Sequence, residues 1–172
     1  FGFSIMAITD DWGGSWKYSE PIVGLGNIQP TLAQTRSGKL VAYMRDNGSA
    51  PKRIHVSHSA DNGETWSVVQ DTDLPNPRSA CDIITLQNGD WVLIYNDTER
   101  ERNRLAVALS EDEGQTWPWH KYIVNEEVPT QAHYPAIIVD RNGFLHLSYS
   151  YFKSDNEKSI QYCRFNEAWI KD

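Results

Sequence analysis

The stretch Thr9–Trp16, TDDWGGSW, is the first of three copies of one eight-residue pattern in this 172-residue chain. The other copies are Ser59–Trp66, SADNGETW, and Ser110–Trp117, SEDEGQTW, and all three read Ser/Thr-x-Asp-x-Gly-x-Ser/Thr-Trp. The first residues of successive copies are 50 and 51 residues apart. Self-similarity at an interval of about 50 residues is typical of solenoids, propellers and other repeat proteins.

Each copy has the chemistry of a rigid turn. Asp and Ser/Thr side chains hydrogen-bond to nearby backbone N–H groups, Gly allows a positive φ, and Trp buries a large apolar face. Asp11, Asp61 and Asp112 could also be read as catalytic acids or metal ligands. Because the same turn chemistry recurs once per unit, as a folding motif requires, we interpret the three carboxylates as structural.

A second set of turns has nearly the same interval. Ser37-Gly38, Asn88-Gly89 and Asn142-Gly143 lie between apolar runs, as hairpin turns do, and their glycines are 51 and 54 residues apart. The flanking runs predict strands at 28–35, 39–45, 53–59 and 66–70, then at 79–87, 91–96, 105–110 and 117–124, and finally at 134–139, 145–151 and 159–165.

The repeat predicts an all-β fold, a β-propeller of four-stranded antiparallel blades. No stretch has sustained helical periodicity. We expect units at residues 1–23 (the end of a blade), 24–75, 76–126 and 127–172, of which the last lacks a clear fourth strand. Since propellers usually need about four to eight blades to close, roughly three and a half blades correspond to about half a ring.

Composition and charge narrow the range of partners. With 40% hydrophobic and 12% aromatic residues, the chain has enough apolar material for a packed core. Its net charge of −7 argues against nucleic-acid binding, which needs Lys and Arg to neutralise phosphates. No apolar run is long enough to span a membrane.

The chain begins at Phe1 in the middle of a unit. A half-ring would leave open sheet edges, which proteins generally cover. We therefore expect either a missing N-terminal half or a second chain to complete the propeller.

The cysteines and histidines give no metal-binding pattern. Cys81 and Cys163 lie in predicted strands beside apolar neighbours, and we interpret them as two buried thiols rather than a disulfide or a metal site. His55 and His58 are three apart on a predicted strand, so their side chains point to opposite faces. The sequence predicts no catalytic zinc.

The eight-residue pattern resembles the Asp box of the sialidase (neuraminidase) superfamily, whose members form six-bladed propellers. The segments 28–45, 102–117 and 134–149 look like the later blades of bacterial sialidase-like proteins. The box is shared with many propellers of other function, so the fold does not by itself imply the activity. The resemblance implies a secreted or periplasmic protein that acts on carbohydrate.

Blade geometry sorts the candidate site residues. In a four-stranded blade, the loops between strands one and two and between strands three and four share one rim, and the remaining loops share the other. The boxes lie between strands three and four. Five residues are expected at the opposite rim: Gln29 and Tyr134 at the start of first strands, Arg45 at the end of a second strand, and Arg78 and Arg102 in loops.

The arginines suit a carboxylated sugar. Guanidinium makes bidentate hydrogen bonds to a carboxylate and would fix the acid group of a sialic acid. By resemblance, Arg45 and Arg102 match two members of the sialidase arginine triad, and Arg78 is a further candidate for substrate binding. The alternative is that these arginines cap loops through surface ion pairs with Asp46, Asp97, Glu99 or Glu101.

Tyr134 matches the position of the sialidase nucleophile, whose phenol attacks the anomeric carbon. A tyrosine avoids the repulsion that an Asp or Glu would meet from the substrate carboxylate. The phenol, with a pKa of about 10, needs a base. The resemblance places a Glu in that role, but the matching residue here is Gln29, and an amide cannot accept the proton.

Three hypotheses follow. The chain could belong to an exo-glycosidase of sialidase type, with an Asp acid and a third arginine supplied from outside it. It could belong to a hydrolase or lyase that acts on another anionic sugar such as a uronate. It could also be a binding propeller without catalysis. None of the three requires a metal ion or an organic cofactor, although calcium at a loop stays open.

Overall fold

A computed structural model describes residues 2–172, which form thirteen strands and one short helix. The strands are β1 (Ala7–Ile8), β2 (Lys17–Tyr18), β3 (Asn27–Gln34), β4 (Leu40–Asp46), β5 (Arg53–Ser59), β6 (Gln70–Pro75), β7 (Asp82–Thr85), β8 (Trp91–Asn96), β9 (Arg104–Ser110), β10 (Trp119–Asn125), β11 (Gln131–Val139), β12 (Phe144–Ser154) and β13 (Glu157–Asn166), and the helix is α1 (Glu167–Lys171).

The strands form four antiparallel sheets whose order follows the chain. The strands β3 to β6 and β7 to β10 each form a four-stranded sheet, β11 to β13 form a three-stranded sheet, and β1 pairs with β2. Three of these sheets lie side by side through their first strands, β3, β7 and β11. The all-β fold and its four-stranded antiparallel blades are thus as predicted. The expected unit boundaries at residues 24, 76 and 127 fall between the sheets, and the division into units stays a prediction.

The core lies between neighbouring sheets. Trp91, Leu93 and Tyr95 of β8 pack toward the β3–β6 sheet, while Val92 and Ile94 pack toward the β11–β13 sheet. All five are at most 2% exposed. A strand covered on both faces has no polar side to present, which explains the unbroken apolar run at 91–95.

The Asp82 carboxylate, on the middle one of the three adjacent sheets, joins all three. Asp82 on β7 accepts a hydrogen bond from the Thr31 hydroxyl of β3 at 2.7 Å and another from the Ile137 N–H of β11 at 2.9 Å. It also accepts one from the Ile83 N–H at 3.0 Å. The three first strands are therefore held together by one side chain.

The repeated pattern folds into the same turn at each copy. In the second copy, Asp61 accepts hydrogen bonds from the Thr65 N–H at 2.9 Å and from the Ser59 and Thr65 hydroxyls. These hydrogen bonds, with the Thr65 hydroxyl foremost, lower the pKa of Asp61 to about 2. The first and third copies make equivalent bonds. The carboxylates serve the turn, as the structural interpretation requires.

The turns and the strand one-to-two hairpins share one rim, which we call the turn rim. The Arg36 N–H, in the hairpin between β3 and β4, donates to the Glu113 carboxylate of the third copy at 2.7 Å. The Arg36 guanidinium also donates to the Asn88 carbonyl in the next hairpin at 3.2 Å. The loops on the other side of the sheets form the opposite rim.

The fourth strands begin later than predicted. The strand expected from Trp66 begins at Gln70, and the one expected from Trp117 begins at Trp119. Over residues 66–69 the chain leaves the regular ladder, because the Ser57 hydroxyl donates to the Ser67 carbonyl and the Val69 N–H donates to the carbonyl of Val23.

The last sheet has no fourth strand within the described residues, and α1 follows β13. Asn166 caps this helix by accepting a hydrogen bond from the Trp169 N–H at 3.0 Å. Lys171 in its last turn contacts Asp90 and Glu111 of the neighbouring sheet. Across residues 2–172, no helix is both long and apolar enough to cross a membrane.

Candidate functional site

Gln29 and Tyr134 occupy equivalent bulges in the first strands of two sheets. On β3, Ile28 pairs with Arg45 and Thr31 with Tyr43, so Gln29 and Pro30 together face a single residue of β4. On β11 the register shifts in the same way between His133 and Ala136, around Tyr134-Pro135. The expectation that these residues start the strands was wrong, since each lies inside its strand. A bulge turns the side chain away from its regular direction, and both side chains are exposed.

The backbone is strained at these two residues and at Arg78. Gln29, Arg78 and Tyr134 have φ values of 54°, 58° and 51°. The other non-glycine residues with positive φ in the described chain are one in each repeated turn, namely Trp12, Asn62 and Glu113. Such conformations cost about 1–3 kcal/mol each and concentrate at functional sites. Outside the turns, the strain thus falls on three of the five candidate residues.

Hydrogen bonds connect the candidates along the opposite rim. The Arg45 guanidinium donates to the Gln29 side-chain oxygen at 3.1 Å and contacts the Asn47 side-chain oxygen at 3.4 Å. The Arg78 guanidinium donates to the carbonyl of Gly48, the residue that follows Asn47, at 3.2 Å. The Arg102 guanidinium in turn donates to the Arg78 carbonyl. We call Arg45, Arg78 and Arg102 the arginine row.

The row ends at Tyr134. The Arg102 guanidinium carbon lies 5.6 Å from the centroid of the Tyr134 ring, within the range of a cation–π contact. The Arg102 loop is fastened to β11 just before Tyr134, because the Arg102 carbonyl accepts a hydrogen bond from the Ala132 N–H at 2.7 Å. All five candidates are therefore brought to one rim, although their roles stay proposals.

Asn96, which the sequence analysis did not single out, fixes this arrangement. Its side chain is fully buried, and its amide group donates to the carbonyls of Arg102, Arg104 and Ala132. One amide thereby connects the loop before β9 to the beginning of β11. Nothing in the local sequence separates this Asn from an ordinary asparagine at the end of a strand.

The arginine row makes no ion pair with a carboxylate of residues 2–172. Three of the four partners considered above are engaged elsewhere: Glu99 pairs with Arg53, Asp97 accepts from the Tyr122 hydroxyl, and Asp46 accepts from the Gly48 N–H. Among the described residues, these side chains are thus held by hydrogen bonds to loop residues and not by the ion pairs that the loop-capping alternative assumed. Three positive charges remain uncompensated on a chain whose net charge is −7.

Tyr134 has no base beside it in the part of the chain described. Its side chain is 46% exposed, and neither Asp97 nor Glu99 forms a hydrogen bond with its hydroxyl. Gln29 offers an amide that already accepts from Arg45. The proton acceptor that a tyrosine nucleophile needs is thus not among these neighbours.

His133 is a second residue that sequence reasoning missed. It is 5% exposed, and its ring packs edge-on against Tyr134 at 5.1 Å and against Phe152 at 4.7 Å between centroids. Burial, with Arg102 nearby, lowers the pKa of His133. The imidazole is therefore neutral at neutral pH and adds no charge to the arginine row.

The two cysteines are both free. Cys81 is buried, and burial raises the pKa of its thiol to about 12. Cys163 is only partly buried, so the expectation of two buried thiols holds fully for Cys81 alone.

A family model and a curated relative match this chain. The model of the BNR repeat-like domain matches residues 3–147. A sialidase from Micromonospora viridifaciens is 26% identical over 177 residues, which cover 97% of this chain and 26% of that protein.

Solved structures share the fold. The NanB sialidase from Streptococcus pneumoniae aligns with a TM-score of 0.79 at 23% identity, over 98% of this chain and 28% of that one. An intramolecular trans-sialidase from Ruminococcus gnavus, in complex with oseltamivir carboxylate, aligns at 0.76 and 18% identity, over 98% of this chain and 39% of that one. An α-L-arabinanase from Penicillium chrysogenum aligns with a TM-score of 0.61 at 18% identity, over 82% of this chain and 46% of that one.

The chain spans between 26% and 46% of the length of each of these relatives. The arabinanase acts on a different sugar from the sialidases, so the shared fold does not choose the substrate. Because the family model matches most of the residues, the chain belongs to the family of BNR repeat-like domains, within the sialidase superfamily.

Proposed function

We propose that this chain forms part of the sugar-binding rim of a sialidase-like glycoside hydrolase, which acts on a terminal sialic acid or a related acidic sugar. The observation that carries the proposal is the arginine row, which has no carboxylate partner among residues 2–172 and ends at Tyr134. An uncompensated cluster of guanidinium groups attracts anions and binds carboxylates in a fixed orientation.

In the proposed reaction, Arg45 and Arg102 hold the substrate carboxylate. This orientation brings the anomeric carbon to the Tyr134 hydroxyl, which is exposed at the end of the row. As the Tyr134 oxygen forms a bond to that carbon, the glycosidic bond breaks, the exposed phenol passes its proton to water, and the leaving-group oxygen takes a proton from an acid. Water then cleaves the glycosyl–tyrosine bond. The acid and a third arginine would come from residues outside this chain, in a larger propeller.

A second candidate is a propeller that binds the same sugar without cleaving it. Two observations favour it: Gln29 is an amide where a base is needed, and the Tyr134 hydroxyl meets no acceptor among the described residues. In this case Tyr134 and Arg102 provide a stacking surface beside the carboxylate. In both cases the partner is a carbohydrate that carries a carboxylate, met in a secreted or periplasmic setting.

The test is hydrolysis of an aryl sialoside and an aryl glucuronide by the full-length polypeptide that contains this chain. The hydrolase proposal predicts release of the aryl group from the sialoside, and a loss of at least about a thousandfold in rate for Tyr134→Phe. Tyr162→Phe is the matched control, since Tyr162 is an exposed tyrosine of the same sheet whose hydroxyl bonds to His146.

The outcomes separate the candidates. If both substrates stay intact but the sialoside still binds, the propeller is a binding protein. Cleavage of the glucuronide alone would assign the enzyme to uronates. Equal rates for Tyr134→Phe and the parent would exclude Tyr134 from the reaction.

A further inference from the structure

Arg78 is presented from a rigid turn. The Asn76 side chain donates to the Ser79 carbonyl at 2.8 Å and accepts from the Ser79 N–H at 3.1 Å, so the two residues brace the peptide that carries Arg78. Asn76 and Ser79 are fully buried, whereas Arg78 is exposed. A strained, braced backbone that carries an exposed charged side chain is pre-organised for binding.

Arg78 lies between the other two members of the arginine row. Its guanidinium bonds to Gly48, while the Arg45 guanidinium contacts the adjacent residue, Asn47. Its carbonyl receives the Arg102 guanidinium. Since the Cα atoms of consecutive residues are about 3.8 Å apart, Arg45 and Arg78 point into neighbouring parts of one surface.

The arginine row has more guanidinium groups than one substrate carboxylate can bind. A carboxylate offers two oxygens, which two guanidinium forks satisfy, and the proposed function assigns them to Arg45 and Arg102. Arg78 then keeps a positive charge, with a single backbone acceptor and without a carboxylate partner among residues 2–172. An exposed, oriented guanidinium beside an occupied anion site fits a second anion.

We propose that Arg78 binds a second anionic group, a carboxylate or a sulfate ester on the sugar next to the one that Arg45 and Arg102 hold. The substrate class is thereby an oligosaccharide with acidic groups on adjacent sugars. This inference rests on the proposed function, because it assumes that the first sugar is held at the same rim.

The experiment measures binding by calorimetry, in the full-length polypeptide with Tyr134→Phe so that no ligand is consumed. The ligands are sialyllactose, which has one carboxylate, α-2,8-linked disialic acid, which has two, and a sulfated sialyllactose. We expect the parent to bind at least one dianionic ligand about tenfold more tightly than sialyllactose. Arg78→Gln should abolish this preference, with a clearly smaller loss of affinity for sialyllactose than for the dianionic ligand, and Arg78→Lys should retain part of the preference.

Arg36→Gln is the matched control. Arg36 is also exposed and also donates to a backbone carbonyl of a neighbouring sheet at 3.2 Å, but at the turn rim. It should leave all three affinities unchanged. Melting temperatures within about 2 °C of the parent would show that the variants fold.

Each outcome bears on the proposal. A preference for disialic acid alone identifies a second carboxylate, and a preference for the sulfated ligand alone identifies a sulfate. An equal loss for all three ligands in Arg78→Gln, or no loss, would overturn the inference while the proposed function stands. If the parent binds none of the ligands, the proposed function fails and the inference fails with it.

Discussion

The Arg45 guanidinium donates a hydrogen bond to the side-chain oxygen of Gln29, and the two atoms are 3.1 Å apart. The bond joins a candidate carboxylate-binding residue to the residue where a catalytic base is expected. It orients the amide but leaves it neutral, so the positive charge of Arg45 remains available to a ligand.

Replacing Gln29 by Glu should supply the missing base. In the proposed reaction a Glu at this position accepts the Tyr134 proton, as the resemblance implies, and general-base catalysis contributes about 10²- to 10⁴-fold in rate. We expect Gln29→Glu to raise kcat on an aryl sialoside by at least about tenfold at neutral pH, measured in the full-length polypeptide.

The double variant is the control for this gain. Gln29→Glu with Tyr134→Phe should be as slow as Tyr134→Phe alone, because the new carboxylate acts through the phenol. If Gln29→Glu bound the aryl sialoside more weakly and showed no gain in kcat, the Glu would only neutralise Arg45. That result would count against the assignment of position 29 as the base.

Asn96 should support both stability and the site. Its amide donates to three carbonyls in a fully buried position, and a buried acceptor left without a partner costs about 1–3 kcal/mol. We expect Asn96→Ala to lower the free energy of unfolding, measured by urea denaturation, by about 2 kcal/mol or more, and to weaken sugar binding because the Arg102 loop loosens.

Asn103→Ala is the comparison for Asn96, since Asn103 follows Arg102 in the loop that Asn96 holds and donates to the Glu126 carbonyl at the surface. It should change the free energy of unfolding by less than about 0.5 kcal/mol. If the two variants were equally stable, the inter-strand role of Asn96 would be refuted.

Asp82 should couple the first strands. Asp82→Asn puts an amide where Asp82 accepts from both Thr31 and the Ile137 N–H, and it should lower the free energy of unfolding by about 1–3 kcal/mol. Thr31→Val removes one of the bonds at nearly constant shape. Denaturation of both single variants and the double variant should give a coupling energy of at least about 0.5 kcal/mol. Additive effects would show that the hydrogen bond between Thr31 and Asp82 does not contribute to stability.

The fold could be predicted from the sequence because its signals are local and repeated. Each repeated turn carries its own hydrogen-bonding groups, so Asp61 and Asp112 make the same bonds in different sheets. Hairpin turns such as Asn88-Gly89 bound the strands to within a few residues. The α1 helix was missed because five residues are too few to establish a helical period.

The site could be predicted only in part. The rim followed from strand order, but the bulges depend on pairing between strands. The only local sign of the bulges in the sequence was a proline in each, Pro30 and Pro135, because proline inside a sheet is confined to edges and bulges. The burial of two consecutive residues, Ala132 and His133, breaks the alternation of the strand and could not be derived from it. The unpaired state of the arginine row depends on where distant carboxylates lie, which no local pattern encodes.

The repeated turns should make stability sensitive to acid. The pKa of Asp61 is lowered to about 2 in the folded chain, against about 3.9 for an unperturbed Asp. A carboxyl group whose pKa is lower in the folded state binds fewer protons there than in the unfolded state, so its stabilising contribution is present above about pH 4. That contribution is lost as the pH falls from about 4 to 2. Asp11 has the same lowered pKa, chiefly through the Ser15 N–H, and adds to the effect.

Asp61→Asn tests this account. The variant cannot titrate, so its free energy of unfolding should depend less steeply on pH between about 4 and 2 than that of the parent. Asp10→Asn is the control, since Asp10 is an exposed residue of the first turn whose carboxylate contacts only Lys17, at 3.7 Å. Chemical denaturation at pH 4.5, 3.5 and 2.5 would measure the three slopes. Identical slopes for Asp61→Asn and the parent would mean that the turn carboxylate does not titrate with folding.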